Sequence, residues 1–486
     1  MTIQEAKDEI RTALLIYLRK DENGLYLVPP QRQRPILLIG PCGIGKTAIM
    51  AQLAEECGIG LVSYTMTHHT RQSAIGLPRI VSRTFDGKEF TATEYTLSEI
   101  VASIYTCMER TGKREGILFL DEINCVSETL SPVMLQLLQS KQFGTHQVPE
   151  GWIITAAGNP PQFNRAAREF DLATLDRVRQ IQVEADVNCW MDYAASRNIH
   201  GSILSYLRIR PDCFYQAVSV GAQRSYVTAR GWEDLSEVLT GCEELGRIPG
   251  QDQISQFLCE PKICGDFAAY YLLYKKYDCD YEIDRILDGS ISQSGLKEKA
   301  AMASEGSFDE SYTVIGLILG NLALKYRHWA ELADQAQLFQ ERLASAEFQL
   351  SEKGLSLEAF TRLQLHAVEE KKKNSLADHE ELRREYTYIR QLKEASLSLA
   401  LSHLNGPSDT IDLLRRLAAQ MTAEADCYAV DIGPCLTRAF RFCEDAFREE
   451  SQLLLLVTGL TANRHAMRYL SRYENEAFLR YSRLLL

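Results

Sequence analysis

The chain has 486 residues, more than one compact core usually holds, and this length suggests about three domains. Hydrophobic residues make up 45% and charged residues 24% of the chain, which are ordinary values for a globular protein. The net charge of −12 argues against a general nucleic-acid coat, so the composition does not favour nucleic acid as a partner.

The cysteines and the apolar runs bear on location. The 13 cysteines form no C-x-x-C pair, and the start of the chain lacks the pattern of a secretory signal, so we expect a cytoplasmic protein. The longest apolar stretches, residues 314–324 and 453–457, are shorter than the roughly 20 residues that a membrane span needs. We therefore expect two buried helices and no membrane span.

The first elements lead into a glycine-rich motif. Apolar residues at helical spacing predict a helix from Ile3 to Leu18, and the apolar run 35–39 predicts a buried strand. Residues 40–47 then read Gly-Pro-Cys-Gly-Ile-Gly-Lys-Thr, a full match to G-x-x-x-x-G-K-[ST]. A strand, a glycine turn and a helix start aim several N–H groups at one point, which is the environment that a phosphate group requires.

The motif predicts a site for a nucleoside triphosphate and Mg²⁺. Lys46 would reach the β- and γ-phosphates, and the Thr47 hydroxyl would complete the shell of the Mg²⁺ ion. On the motif alone, a purely structural glycine turn remains the alternative. The residues expected to line the phosphates are Gly40, Pro41, Cys42, Gly43, Ile44, Gly45, Lys46, Thr47 and Ala48.

Four further strand-like runs follow, with helical patterns between them, at residues 61–65, 116–120, 152–157 and 180–183. This alternation predicts a parallel sheet that helices cover on both faces, with a nucleotide at the carboxyl ends of the strands. Between the second and third strands, Asp86-Gly87 joins two β-prone arms and predicts a hairpin.

The third strand ends in two carboxylates, Asp121 and Glu122. We expect Asp121 to hold the hydration shell of the Mg²⁺ ion and Glu122 to activate the water that attacks the γ-phosphate. An Asp-Glu pair alone usually marks only a solvated strand end. Here the pair follows a phosphate loop at a buried strand, which favours a site.

The fourth strand runs into Asn159, followed by two prolines. A neutral amide beside the strand of Glu122 can hydrogen-bond the lytic water or the γ-phosphate without adding charge. An Asn-Pro turn is the alternative interpretation.

An arginine before the fifth strand suits the charge that spreads over phosphoryl oxygens in the transition state, and it can reach the site of a neighbouring subunit. Arg177 is the first choice and Arg179 the second, since the sequence does not say which of them faces a subunit boundary. The alternative for Arg177 is an ordinary surface salt bridge with Asp176.

After about Gln251 the pattern is helical throughout. Apolar stripes at 329–350 and 382–392 predict two helices, which form either an antiparallel arm over residues 327–400 or part of an ordinary bundle. The segment from Gly289 to Gly306 is rich in Ser, Lys, Glu and Gly, and we expect it to be a flexible connection.

Taken together, the phosphate loop, Asp121-Glu122, the Gly-Asn-Pro after strand four and the Leu-Asp-Arg at 175–177 resemble the AAA+ ATPases, and within them the MoxR-like, dynein-related branch. The hairpin at 80–95 is similar to the insert in helix 2 that marks this branch. Residues 228–232 resemble its sensor-2 segment, which implies that Arg230 touches the γ-phosphate. The resemblance covers about residues 1–250.

The resemblance implies a P-loop NTPase fold: an α/β core with a parallel sheet of order 5-1-4-3-2 over residues 1–185 and a helical lid over 186–255. The helical pattern of the remaining residues predicts an all-α domain over 256–486. The resemblance also implies hydrolysis of ATP to ADP and phosphate by a ring, usually a hexamer, in which each site is completed by the neighbouring subunit. It further implies a chaperone-like role in remodelling or assembling another protein, often one with a von Willebrand factor A domain.

Two other functions stay open. One is a switch that binds ATP and scarcely hydrolyses it. The presence of Glu122 and Asn159 argues against this function. The other is the motor of a nucleic-acid system similar to the McrB-type restriction GTPases, against which the absence of basic clusters speaks.

Overall fold

The architecture is that of a computed structural model, which describes residues 1–68, 70–143, 146–164, 166–197, 199–220, 223–351, 353–373, 379–402, 407–447 and 450–483. The chain divides into two compact units. The first comprises Met1–Tyr193 and Tyr206–Tyr270, and the second comprises Ala194–Ser205 and Tyr271–Leu486. Within the described ranges, every helix is too short or too polar to traverse a lipid bilayer.

The strands all lie in the first unit, where five of them form a central sheet. In chain order they are β1 (Ile36–Ile39), β2 (Gly60–Thr65), β3 (Pro78–Phe85), β4 (Lys88–Tyr95), β5 (Gly116–Asp121), β6 (Gln142–Phe143), β7 (His146–Gln147), β8 (Trp152–Gly158), β9 (Arg179–Gln182), β10 (Gln216–Val220) and β11 (Gln223–Val227). The five-stranded sheet is parallel, with the order β2-β5-β8-β1-β9. Numbered among themselves, its strands follow the predicted order 5-1-4-3-2, and the predicted fold class is confirmed.

Helices precede, separate and follow these strands along residues 1–281. They are α1 (Ile3–Tyr17), α2 (Lys46–Glu56), α3 (Arg71–Ile75), α4 (Glu99–Thr111), α5 (Ser131–Ser140), α6 (Leu172–Leu175), α7 (Val187–Ser196), α8 (Gly201–Ile209), α9 (Ala229–Glu244), α10 (Gln251–Ile254) and α11 (Pro261–Tyr281). Short 3₁₀ turns lie at Pro30–Arg32, Met66–His68, Ile123–Cys125 and Pro211–Cys213.

The sheet is buried on both faces, which explains its uninterrupted apolar strands. Because side chains alternate along a strand, Leu118 and Leu120 of β5 pack into one core with α4 and α5. Ile117 and Phe119 point to the opposite face and pack into a second core with α1 and α2. These two cores hold β1, β5 and β8 side by side, so the carboxyl ends of the three strands lie together.

The hairpin predicted around Asp86-Gly87 is present as the antiparallel pair β3 and β4. Asp86 and Gly87 both have positive φ, 49° and 75°, as a tight two-residue turn requires. The pair stands between α3 and α4, and its side chains are largely exposed on both faces: Ile80 is 75% and Phe90 51% exposed. It forms a two-stranded ribbon of its own beside the main sheet.

Two short ribbons of the first unit were not predicted. The strands β6 and β7 form one, and β10 and β11 form the other, within the segment expected to be a purely helical lid. Residues 144–145 and 221–222, which join the strands of each pair, lie outside the described residues.

The second unit is helical throughout its described residues. Its remaining helices are α12 (Ile283–Asp288), α13 (Gln293–Glu305), α14 (Phe308–Ser351), α15 (Leu357–Lys373), α16 (His379–Ser402), α17 (Pro407–Ala446), α18 (Glu450–Ala462), α19 (Arg464–Arg472) and α20 (Glu476–Ser482). Both predicted apolar stripes contribute to one core, in which Phe339 of α14 packs against Tyr388 of α16 with ring centroids 5.3 Å apart. Helices α15 and α17 complete this core.

The prediction of a flexible connection at residues 289–306 is wrong, because most of this segment forms α13. The Ser292 hydroxyl caps this helix by accepting a hydrogen bond from the backbone N–H of Gly295 at 3.1 Å. Ala300 and Ala303 are buried. The N-cap and the packing of these alanines thus stabilise a helix in a segment whose composition is typical of a linker.

A buried carboxylate joins three helices of the second unit. Glu385 of α16 accepts two hydrogen bonds of 2.6 Å from the Arg342 guanidinium of α14 and one of 3.0 Å from Lys371 of α15. Burial raises the pKa of Glu385, but the hydrogen bonds from Arg342 and Lys371 outweigh this effect and leave the pKa below its ordinary value of 4.5. The charged form is therefore the stabilising one.

Replacing Glu385 by Ala is expected to lower the free energy of unfolding of the second unit by about 2–3 kcal/mol, because Arg342 and Lys371 lose their shared partner. Since the folded pKa is lowered, this contribution is present above pH 4.5 and disappears as the pH falls through the folded pKa. Thermal and urea unfolding at pH 7 and at pH 4 measures both effects.

The matched control is Glu358→Gln, which removes an ion pair with Arg362 whose two side chains are 70% and 74% exposed. We expect this variant to change stability by less than about 0.5 kcal/mol. An equal effect of the two substitutions would contradict the role given to Glu385.

Candidate functional site

The phosphate loop predicted at residues 40–47 is a turn between β1 and α2. Gly43 and Gly45 adopt positive φ values of 72° and 92°, which residues with a Cβ atom rarely adopt. Helix α2 begins at Lys46, and no side chain caps its N-terminus. Its first backbone N–H groups are thus available to an anion, and the helix dipole adds positive potential at the same point.

Lys46 is a buried cation at this turn. Its Nζ atom donates hydrogen bonds to the carbonyl oxygens of Gly40 at 2.9 Å and Pro41 at 2.6 Å, and to Oδ1 of Asn159 at 2.9 Å. All three acceptors are neutral. Burial lowers the pKa of Lys46 to about 8, although the charge of Asp121 acts in the opposite direction. A phosphate group would supply the negative charge that these contacts lack.

Thr47 and Asp121 meet at the edge of the sheet. The Thr47 hydroxyl donates a hydrogen bond of 2.7 Å to one carboxylate oxygen of Asp121, and the other oxygen accepts a bond of 2.9 Å from the backbone N–H of Glu122. A hydroxyl and a carboxylate side by side beside a phosphate loop are oxygen ligands of the type that Mg²⁺ prefers. The donor set therefore fits the expected Mg²⁺ ion. In the described part of the chain, no cluster of three His, Cys, Asp or Glu side chains suggests another metal site.

Glu122 follows the end of β5 in a left-handed conformation, with φ 54° and ψ 35°. Its carboxylate accepts a hydrogen bond of 3.0 Å from the hydroxyl of Thr67, in the 3₁₀ turn after β2. The sequence analysis missed Thr67. Its signal is topological: β2 neighbours β5 in the sheet, so a hydroxyl after β2 lies at the same edge as Glu122.

Asn159 directly follows β8, which lies between β1 and β5. This position brings its amide to Lys46 and places it beside the strand that ends in Asp121. The structure thus brings Lys46, Asn159, Thr47, Asp121 and Glu122 to one edge of the sheet, linked in pairs by hydrogen bonds or by sequence.

The two candidate arginines differ in their surroundings. Arg179 forms an ion pair with Glu9 of α1. Arg177 is exposed, and in the described residues no carboxylate, Asp176 included, forms an ion pair with it. The pKa of Asp171 is lowered mainly by hydrogen bonds from Thr174 and to a smaller extent by the charge of Arg177. Of the two guanidinium groups, that of Arg177 is therefore the one available to another molecule.

The start of α9 lies against the phosphate loop. A Cβ atom built on Gly43 would lie 3.1 Å from the Cβ atom of Thr228 and 3.6 Å from that of Arg230. Arg230 is exposed, and its charge is close enough to contribute to the lowered pKa of Lys46. A second contact with the loop, which the sequence did not suggest, is the hydroxyl of Tyr215, which donates a hydrogen bond of 3.0 Å to the Cys42 carbonyl oxygen.

Comparison with known families agrees with this geometry. Residues 35–178 match the family described as AAA domain (dynein-related subfamily). The match runs from β1 to the residue before β9 and includes the phosphate loop, Asp121, Glu122, Asn159 and Arg177. The chain matches no curated protein sequence. Residues 35–178 therefore have the fold and the sequence pattern of an AAA-type P-loop ATPase domain.

Proposed function

We propose that the protein binds ATP with Mg²⁺ and hydrolyses it to ADP and phosphate. The observation that carries this proposal is the buried Lys46 ammonium at the N-terminus of α2, whose hydrogen-bond acceptors among the described residues are all neutral. Asp121 and Glu122 stand at the end of β5, which β8 separates from β1, and supply the two carboxylates that triphosphate hydrolysis requires.

Each residue has a distinct task in this reaction. Lys46 and the N–H groups of α2 bind the phosphates and neutralise their charge. Glu122, which the Thr67 hydroxyl orients, accepts the proton of the attacking water. Asn159 positions that water or the γ-phosphate without adding charge. Mg²⁺, when held by Thr47 and Asp121, neutralises charge on the phosphate oxygens.

The ring is a further part of the proposal. Arg177 is exposed and, within the described residues, carries no ion pair, which supports the proposal that it reaches the γ-phosphate bound by the neighbouring subunit of an assembly. We propose a hexamer, the usual assembly of AAA+ proteins, with Arg230 contacting the γ-phosphate within each subunit. The proximity of Arg230 to Gly43 and Lys46 supports this assignment.

The biological role is proposed to be that of a MoxR-like remodelling or assembly factor in the cytoplasm. The exposed ribbon between α3 and α4 supports the branch, and the 13 free cysteines support a reducing compartment. A protein client, such as one with a von Willebrand factor A domain, follows from the resemblance alone. A pull-down with Glu122→Gln in the presence of ATP tests for it, and recovery of the protein alone would contradict remodelling.

Replacing Glu122 by Gln is expected to reduce kcat about 10²- to 10⁴-fold, because an amide does not accept the proton of the attacking water. The affinity for ATP stays close to that of the wild type. Phosphate release and titration with a fluorescent ATP analogue measure the two quantities.

The control is Glu109→Gln, which changes an exposed carboxylate on α4 and is expected to leave kcat unchanged. A wild type that binds ATP without releasing phosphate would favour the switch function instead. Stimulation of hydrolysis by added DNA or RNA would favour the nucleic-acid motor.

The affinity for ATP is expected to fall as the pH rises from 7 to 9. Burial lowers the pKa of Lys46 to about 8, so the ammonium of the nucleotide-free protein is charged below that pH and neutral above it. Binding above pH 8 must therefore include the uptake of a proton. Titration with a fluorescent ATP analogue across this range measures the effect.

In Lys46→Arg the charge persists at all these pH values, so the pH dependence should disappear even though the affinity at pH 7 is lower. The substitution Cys42→Ala removes a neighbouring thiol and should leave the pH dependence in place. If the pH dependence disappeared in Cys42→Ala and persisted in Lys46→Arg, this explanation would be refuted.

Arg177→Ala is expected to abolish hydrolysis and to leave ATP binding intact, because the guanidinium acts on the neighbouring subunit. Inactive Arg177→Ala and inactive Glu122→Gln subunits should then regain part of the activity when mixed, since some sites in the mixed ring have both residues. The control Arg179→Ala breaks the ion pair with Glu9 and should keep most of the activity. No recovery in mixtures that demonstrably exchange subunits would contradict the action in trans.

A further inference from the structure

Asn124 lies in the turn Ile123–Cys125, two residues after Glu122, and it is 6% exposed. Its amide Nδ2 donates hydrogen bonds to the carbonyl oxygens of Asn159 at 2.8 Å and Arg168 at 3.3 Å. Its Oδ1 atom accepts a hydrogen bond of 3.3 Å from the backbone N–H of Asn159. One buried side chain thus bonds both the N–H and the carbonyl group of the residue whose side chain contacts Lys46.

The backbone around Asn159 depends on these bonds. Pro160 and Pro161 follow it and carry no N–H group, so the next two residues donate no backbone hydrogen bond. On the other side, a Cβ atom at Gly158 would lie 2.7 Å from Oδ1 of Asn124. The end of β8 therefore approaches the Asn124 amide as closely as a glycine allows. Beyond β8 the backbone groups of Asn159 no longer belong to the sheet, and the Asn124 amide supplies their hydrogen bonds instead.

The same residue reaches a second segment. The backbone carbonyl of Asn124 accepts a hydrogen bond of 2.9 Å from the N–H of Arg168, in addition to the bond from Nδ2 to the Arg168 carbonyl. Residue 168 lies in the segment that connects Asn159 to α6 and Arg177. Asn124 thus joins the turn of Glu122 to the strand end of Asn159 and to the chain that leads to Arg177.

We propose that Asn124 is a positioning residue of the ATPase site, which fixes Asn159 relative to Lys46 and Glu122. It does not touch the nucleotide; it acts through Asn159. This inference rests on the proposed ATP hydrolysis. Because an amide with both a donor and an acceptor is needed to bond both groups of one peptide residue, neither an apolar residue nor a carboxylate at position 124 does the same.

The test compares Asn124→Ala, Asn159→Ala and the double variant. Each single variant is expected to lower kcat about tenfold or more, with the affinity for a fluorescent ADP analogue unchanged within about threefold. Because Asn124 acts through Asn159, the double variant should be no slower than Asn159→Ala. Multiplied losses in the double variant, or an unchanged kcat in Asn124→Ala, would overturn the proposal.

Asn164→Ala serves as the control for general loosening of this loop. Asn164 donates to the Cys125 sulfur atom at 3.2 Å and caps the N–H of Ala166 at 3.0 Å, so its loss disturbs the same segment without touching Asn159. We expect it to keep most of the activity. A loss as large as that of Asn124→Ala would reduce the effect of Asn124 to loop packing and would also overturn the proposal.

Hydrogen–deuterium exchange gives a reading that does not require hydrolysis. Exchange at residues 158–164 should accelerate in Asn124→Ala, whereas exchange at residues 40–47 should not. If the alanine variant does not fold, Asn124→Asp keeps the volume and the acceptor, loses the donor and adds a negative charge, and the same exchange pattern is expected. A wild type without ATPase activity refutes the proposed function alone, while unchanged exchange at 158–164 refutes the role of Asn124.

Discussion

The ammonium group of Lys46 is the constraint on which the site depends. Taking a cation out of water is costly unless negative charge accompanies it, and among the described residues the hydrogen-bond acceptors of Lys46 are two carbonyl oxygens and one amide oxygen. The lowered pKa expresses this incomplete compensation. The strand order matters for the same reason: only because β8 lies between β1 and β5 does Asn159 lie beside Lys46 while Asp121 and Glu122 stand one strand further on. In the proposed function, the binding energy of the phosphate groups therefore comes in part from a charge that is already in place.

The parts of this arrangement that the sequence predicted are those encoded locally. The glycine motif specifies its own turn, and the buried apolar runs of β5 and β8 are typical of central parallel strands. Position relative to such a strand was sufficient to identify Asp121, Glu122 and Asn159 as neighbours. Thr67, Asn124 and Tyr215 escaped the sequence analysis because their partners lie far away along the chain, and nothing in their local pattern distinguishes them from ordinary polar residues.

The structure also distinguishes two arginines that the sequence could only rank. Arg177 and Arg179 are two residues apart, yet one is exposed and the other is bound to Glu9, which no local pattern reveals. At residues 289–306 the sequence prediction was wrong: small polar residues suggested a flexible connection, whereas Ser292 caps a helix there. Composition describes the average behaviour of such a segment, whereas a single cap and a few buried methyl groups decide the individual case.

The ribbon formed by β3 and β4 has a consequence for the energetics of the first unit. Two strands without a third strand or a buried face are marginal in water, and here Ile80 and Phe90 both face solvent. The ribbon can therefore melt or re-form for a small fraction of the free energy that holds the parallel sheet. The ribbon can therefore rearrange without changing the free energy that holds the phosphate loop in its conformation.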